Sequence, residues 1–365
     1  METRLGRLRA IMDAHDLDAV VLRDVACIKW LTGCERVFDD EAAHTVLVTG
    51  DGAWLHTDSR YFTAIMGQID ADVWATDMEA MPATRWLAAK VASARVHRLG
   101  VEDTLTLGFF DELTTELDAV SHPCFLVRLH QLLISLRLIK EPVELECLRR
   151  AQEVTDEAFG RMCARLHVGM SELEIRALLE GELLSCGADA LSFDTITASG
   201  PNGANPHARP GERRIADGDL IVCDFGACWH DYHADMTRTV CMGTPSAEQR
   251  EVYAVVRRAH EESAAMARPG ITGAELHAHA QKVIADAGYG EFFGHGLGHG
   301  VGLEIHEAPA VSLRGKDPLP EGAVFTIEPG IYLPNRFGIR LEDCGVMGKA
   351  GYEPFTATTH ELICL

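Results

Sequence analysis

Five side chains in the second half of the chain have the types and the order of a metal centre. Asp224 closes the apolar run Leu220-Ile221-Val222-Cys223, and Asp235 follows 11 residues later, just before the strand-forming Thr237–Val240. An unpaired carboxylate at the end of a buried strand is costly, and a hairpin of that length returns Asp235 beside Asp224. His295, His299 and His306 fall within twelve residues of a glycine-rich stretch. Glycine lets a backbone approach a ligand closely, and neutral imidazole is the commonest transition-metal ligand. Glu328 and Glu342 each sit in an apolar, strand-like run, 14 residues apart. A glutamate is rarely buried unless it is paired or bound to a metal. Singly, each group has an ordinary reading: turn aspartates, incidental loop histidines, edge-strand glutamates. Together, four carboxylates balance the charge of two divalent cations, and His299 adds a neutral nitrogen. Oxygen-rich ligation with one nitrogen and no thiolate suits Mn²⁺, Co²⁺ or Zn²⁺. Two such ions about 3.5–4 Å apart share a bridging water and lower its pKa toward about 7, giving a hydroxide that attacks a carbonyl carbon. The chemistry expected is hydrolysis.

The elements that must position these groups can be read from periodicity. Leu5, Leu8, Ile11 and Met12 recur at helix spacing. Ala19–Leu22, Thr45–Val48 and Trp54–His56 read as strands, with a hairpin signal at Asp51-Gly52 and a helix-like stretch over Pro82–Val91. Such alternation predicts a small α/β domain over residues 1–135. Pro142 then occupies the first turn of a long helix running to about Leu166, which opens a second domain over 136–365. That domain contains an echo. Ser171 with Glu174, and Thr272 with Glu275, are both capping boxes. Their helices end near Gly187 and Gly288 at one common offset, 272 − 171 = 101 and 288 − 187 = 101. The echo suggests two similar halves facing across a central cleft.

Composition narrows the class of partner. The 365 residues carry 33 Lys+Arg against 55 Asp+Glu, a net charge of −22 that disfavours nucleic acid and anionic membranes. A hydrophobic share of 47% with 24% charged residues excludes disorder and fits a soluble globular protein. There is no apolar run of about 18 residues for a membrane span, and no continuous apolar segment of the signal-peptide kind near the start. The 11 cysteines are scattered without a CxxC pair, which predicts reduced thiols and a cytoplasmic setting.

With these residues in hand, the chain resembles the creatinase/prolidase/methionine-aminopeptidase superfamily, peptidase family M24, over nearly its whole length. Within it the likeness is to Xaa-Pro aminopeptidases and Xaa-Pro dipeptidases. The resemblance implies an α/β (α+β) architecture: a creatinase-like N-terminal domain, then a "pita-bread" catalytic domain with pseudo-twofold halves. It implies that Asp224 chelates one ion with both oxygens, that Asp235 and Glu342 bridge, and that His299 and Glu328 complete the second ion. Glu328 becomes the proton shuttle. His207, in Ser199-Gly200-Pro201-Asn202-Gly203-Ala204-Asn205-Pro206-His207, and His306 donate to the scissile carbonyl or its oxyanion. His295 lines the proline pocket, and Arg340 orients the bridging carboxylates from behind. The implied cofactors are two divalent ions, Mn²⁺ or Co²⁺ with Zn²⁺ as a further option. The implied substrates are proline-containing peptides or dipeptides, and the implied assembly is a homodimer.

An Xaa-Pro bond is a tertiary amide with no N–H, so a site that grips the carbonyl with histidines and a metal suits it. Other readings on this fold are a hydrolase or lyase of small non-peptide compounds, and an inactive binding module, which the intact ligand set disfavours. The hairpin is richer in histidine than the family pattern, and alternation places His233 on the same strand face as Asp235. The sequence leaves open whether the enzyme is an aminopeptidase or a dipeptidase.

Overall fold

The computed structural model describes residues 3–39, 41–120, 122–129 and 132–365. Contacts divide the chain into two compact units, Met1–Arg137 and Leu138–Leu365.

The first unit is built on a six-stranded mixed sheet. Its spatial order is Ala75–Asp77, Ala53–His56, Thr45–Thr49, Ala19–Leu22, Arg98–Val101 and Phe125–Arg128. The central strand Ala19–Leu22 is buried along its length and reads as a continuous apolar run, as a strand covered on both faces must. Val48 pairs with Ala53 across the Asp51-Gly52 turn, so the hairpin signal is where the sequence places it. The helix Ala83–Ser93 buries Trp86, Leu87, Ala88 and Val91 in the core with Leu47 and Leu99.

The second unit repeats one plan twice. The helices Pro142–Cys163 and Glu172–Ser185 pack together, as do Ala247–Met266 and Gly273–Asp286, and each pair backs onto its own hydrophobic core. Both capping boxes form, at Ser171/Glu174 and at Thr272/Glu275. The echo extends to the backbone: Gly169 and Gly270 precede the caps at φ 96° and 93°, and Gly187 and Gly288 end the helices at φ 105° and 89°. These left-handed values favour glycine.

In the first half, the strands Ile196–Ser199, Leu220–Phe225 and Met236–Cys241 form an antiparallel sheet with Leu220–Phe225 in the centre. In the second half, five antiparallel strands lie in the order Glu307–Val311, Gly298–Gly300, Val324–Ile327, Asp343–Met347 and Tyr352–Pro354. A two-stranded ribbon, Gly330–Leu333 with Phe337–Arg340, completes it.

Candidate metal centre

The hairpin between Asp224 and Asp235 is made in two stages. Met236 pairs with Phe225 and Thr237 with Asp224, which sets Asp235 at the mouth of the same strand pair. The tip is a short ribbon, Trp229 opposite Tyr232, turned by His230 and Asp231 with φ of 49° and 68°. Two successive positive-φ residues are the signature of a type I′ hairpin turn. His230 is therefore a turn residue. His233 sits at 2.9 Å from Ser192 through its Nδ1 and is not among the residues lining the cleft.

His299 is held by the strand Gly298–Gly300, where the ladder carries a bulge between His299 and Gly300. Its glycine neighbours are steric necessities. A Cβ on Gly298 would stand 2.0 Å from the Thr326 carbonyl oxygen, and one on Gly300 2.1 Å from that of Ala308. The His299 Nδ1–H donates to the Gly300 carbonyl at 3.1 Å, which leaves the Nε2 lone pair facing Asp235 (3.4 Å) and Glu328 (3.5 Å). The Thr326 hydroxyl accepts from the His299 backbone N–H (3.1 Å) and donates to Glu328 Oε1 (3.3 Å), so one side chain orients both groups.

Glu342 follows the strand Phe337–Arg340. Its backbone N–H donates to the Thr237 carbonyl, and its Oε2 accepts from the Thr237 hydroxyl at 2.6 Å. Arg340 is buried and donates to Asp224 Oδ2 (2.5 Å), Thr237 Oγ1 (3.0 Å), the Tyr332 hydroxyl (2.8 Å) and the Pro206 carbonyl (3.3 Å). The resemblance implies that Arg340 orients the bridging carboxylates Asp235 and Glu342; its bonds run to Asp224 and Thr237 instead. It grips Asp224 directly and reaches Glu342 through Thr237. With Asp224 Oδ2 so engaged, the buried Oδ1, which has no hydrogen-bond partner, is the oxygen of that residue left open.

His295 lines the same cleft. Its Nδ1–H donates to the Gly296 carbonyl (2.7 Å), so its Nε2 accepts from the Tyr332 hydroxyl (2.9 Å), which itself accepts from Arg340. The ring packs edge-on against Phe293. His306 lies beside His299 with ring centroids 4.3 Å apart, and His207 lines the cleft from an exposed loop. The nine residues to which the resemblance gives site roles line one cleft of about 680 Å³: Asp224, Asp235, His299, Glu328, Glu342, His207, His306, His295 and Arg340. Tyr332, Thr237 and Thr326 were not anticipated. Only the position of Tyr332, four residues after Glu328, could have drawn notice.

The electrostatics of this cleft ask for cations. Burial, and then repulsion from Glu342, Asp224 and Glu328, pushes the Asp235 carboxyl well above its usual range. Burial, and then Glu328 and Asp224, does the same to Glu342. Glu328 is raised by burial and by Asp224, against the opposing pull of His295 and Arg340. Burial also lowers His295, His299 and His306, so that all three favour the neutral ring that ligates or donates. One guanidinium cannot balance four carboxylates. Donor atoms of Asp235, His299 and Glu342 all lie within 4.8 Å of one another. With the open Asp224 Oδ1, this set fits hard or borderline divalent ions.

A second cluster lies on the other side of Glu342. Successive strand side chains alternate faces, and Asp343 points away from the cleft toward Arg238 (2.7 Å), His360 (2.8 Å) and His260 (3.5 Å). Burial alone would raise Asp343, but His260, His360 and Arg238 hold it well below the usual carboxylate range. Burial lowers His260 to about 4.

Comparison with known proteins agrees with this architecture. Residues 4–139 match the creatinase/prolidase N-terminal domain, and residues 146–349 match metallopeptidase family M24. An Xaa-Pro dipeptidase of Pyrococcus horikoshii is 34% identical over 363 residues, covering 100% of this chain and 99% of that protein. The solved Xaa-Pro dipeptidase from Bacillus anthracis superposes with a TM-score of 0.92 at 34% identity over 99% of both chains. The X-Pro aminopeptidase from Thermotoga maritima does so at 0.87 and 33%, over 96% of this chain and 98% of that one. The fold and its N-terminal domain are those of the metallopeptidases with a creatinase-like first domain. The chain belongs to metallopeptidase family M24.

Proposed function

We propose that this protein hydrolyses Xaa-Pro bonds at the N-terminus of peptides or in dipeptides. The carrying observation is the convergence of Asp224, Asp235, His299, Glu328 and Glu342 on one cleft with a large excess of buried negative charge. These five residues would hold two divalent ions, Mn²⁺ or Co²⁺ by the oxygen-rich donor set. The ions, when bound, would polarise the scissile carbonyl and acidify the attacking water.

The remaining steps belong to side chains of this chain. His207 and His306 donate N–H bonds to the carbonyl oxygen as negative charge develops on it. Glu328 Oε1, aimed by Thr326, accepts the proton of the attacking water and returns it to the proline nitrogen as the C–N bond breaks. His295, packed on Phe293 and pinned by Tyr332, forms one wall for the proline ring. Arg340 keeps Asp224 and the His207 loop in register by its bonds to Asp224 Oδ2 and the Pro206 carbonyl. The bond cleaved carries no N–H, and nothing in this scheme requires one.

The test is cleavage of Gly-Pro, Ala-Pro and an Arg-Pro-Pro peptide by protein loaded with Mn²⁺ or Co²⁺. Cleavage of the dipeptides alone makes it a dipeptidase, and cleavage of the tripeptide an aminopeptidase. Stoichiometric metal with no cleavage of any of them overturns the substrate. A cytoplasmic setting is supported by 11 cysteines scattered without a CxxC pair. The family resemblance supports a homodimer, for which light scattering should give twice the 39.9 kDa of one chain.

A further inference from the structure

The cluster behind Glu342 has no part in the proposed reaction, yet it has the features of a ligand site. His260 projects from the helix Ala247–Met266 and is 1% exposed. Neither of its ring nitrogens has a hydrogen-bond partner. A buried imidazole left without partners loses the full cost of its desolvation, and its Nε2 faces Asp343 Oδ2 at 3.5 Å. His360 Nε2 faces the same oxygen at 2.8 Å. In a tetrahedral zinc site with bonds of about 2.0–2.1 Å, adjacent donor atoms stand about 3.3 Å apart. The two nitrogen–oxygen separations bracket that value, and the three donor atoms lie within 4.8 Å of one another.

The outer atoms of the same residues are already held. Arg238 grips Asp343 Oδ1 at 2.7 Å and leaves Oδ2 to the histidines. Glu261 Oε1 stands 3.6 Å from His360 Nδ1, in the place where metal-bound histidines usually meet a carboxylate. Arg238 brings a positive charge that disfavours a cation. That charge is shared among the carbonyls of Thr237, Glu342, Thr358 and Thr359 as well as Asp343. Access exists on the side of His360, whose side chain is 28% exposed beside Glu261.

We propose that His260, Asp343 and His360 bind one borderline divalent cation of the zinc class, with water as the fourth ligand. The ion ties the C-terminal segment to the helix Ala247–Met266 and to the start of the strand Asp343–Met347. It takes the place of the proton on His360 Nε2, and the ring carries its proton on Nδ1, beside Glu261 Oε1.

Zinc itself is the probe. Chelator-stripped full-length protein is titrated with Zn²⁺ and its equivalents counted. His260→Gln and His360→Gln should each bind one equivalent fewer than the natural protein, while Asp235→Asn, which disables the cleft, should keep this equivalent. Zn²⁺ should also raise the melting temperature of Asp235→Asn. Unchanged stoichiometry in both histidine variants overturns the site. So does an anomalous-difference map of zinc-soaked crystals of the natural protein with no peak about 2.1 Å from His260 Nε2, His360 Nε2 and Asp343 Oδ2. Asp235→Asn separates the two sites, because failure of the cleft to hold metal would leave its zinc count equal to that of the natural protein.

Discussion

At the scale of single residues the cleft trades stability for function. Asp235 and Glu342 have folded-state pKa values above those of free carboxyls. By linkage, the stability each contributes is present below the unfolded pKa and is lost as pH rises through the folded one. The metal-free protein should therefore lose stability as pH climbs above the usual carboxylate range, and added Mn²⁺ should reverse the trend. Asp235→Asn removes one repelling charge. It should stabilise the metal-free fold by about 1–2 kcal/mol while lowering metal content and cutting kcat/KM by at least about 100-fold. Circular dichroism melts and metal analysis check both arms, and full metal content in the variant would remove Asp235 from the ligand set. Arg340→Lys keeps the charge but loses the fork that spans Asp224, Thr237 and Tyr332. It should lower kcat/KM by about 10–100-fold with the fold intact. In the first unit, burial pushes Glu102 up to about 7 although it accepts backbone N–H bonds from Arg23 (2.7 Å) and Asp24 (2.8 Å). Its stabilisation is complete below about pH 4 and falls away through pH 7, by up to about 3 kcal/mol. Amide exchange at Arg23 and Asp24 should quicken from pH 5 to 8 beyond the intrinsic rate, and Glu102→Gln should abolish that excess.

At the scale of elements, the strand Gly298–Gly300 shows why glycine surrounds a ligand histidine. The strand lies so close to Thr326 and Ala308 that a single methyl collides with backbone. Gly298→Ala should cost about 1–3 kcal/mol and displace His299. Gly294→Ala, which meets nothing within 4 Å, should be near neutral in melts and in metal content. Equal effects of the two would show that the glycines serve loop entropy instead of close packing. The buried Lys140–Glu307 pair (2.5 Å) ties the chain before the long helix Pro142–Cys163 to the residue after His306. Lys140→Met removes the cation paired with this buried carboxylate, and a loss of about 3–5 kcal/mol is expected in denaturant unfolding.

At the scale of the whole molecule, every residue proposed for the chemistry lies in the unit Leu138–Leu365. That unit has its own pair of hydrophobic cores. Expressed alone, residues 138–365 should fold and bind as much Mn²⁺ as the full chain, measured by equilibrium dialysis. A fragment that is folded by circular dichroism yet binds no Mn²⁺ would overturn the assignment of a self-sufficient centre to this unit. Among the described residues no helix is long and apolar enough to cross a membrane, as the apolar run lengths predict.

The sequence by itself determined the order of elements and the identities of the cleft residues. Capping boxes, left-handed glycines and the Asp224–Asp235 hairpin are local features, written within a few residues of chain. The partners of those residues were decided by the tertiary structure alone. Thr237 meets Glu342 across 105 residues, Arg238 meets Asp343 across 105, and Arg340 meets Asp224 across 116. His233 shares a strand face with Asp235 in the pattern, yet the short ribbon at the hairpin tip turns it to Ser192. Periodicity reports which face a residue occupies. Only packing of the two halves brings distant faces within hydrogen-bond reach, and only there does a threonine, a tyrosine or a pair of histidines acquire a role.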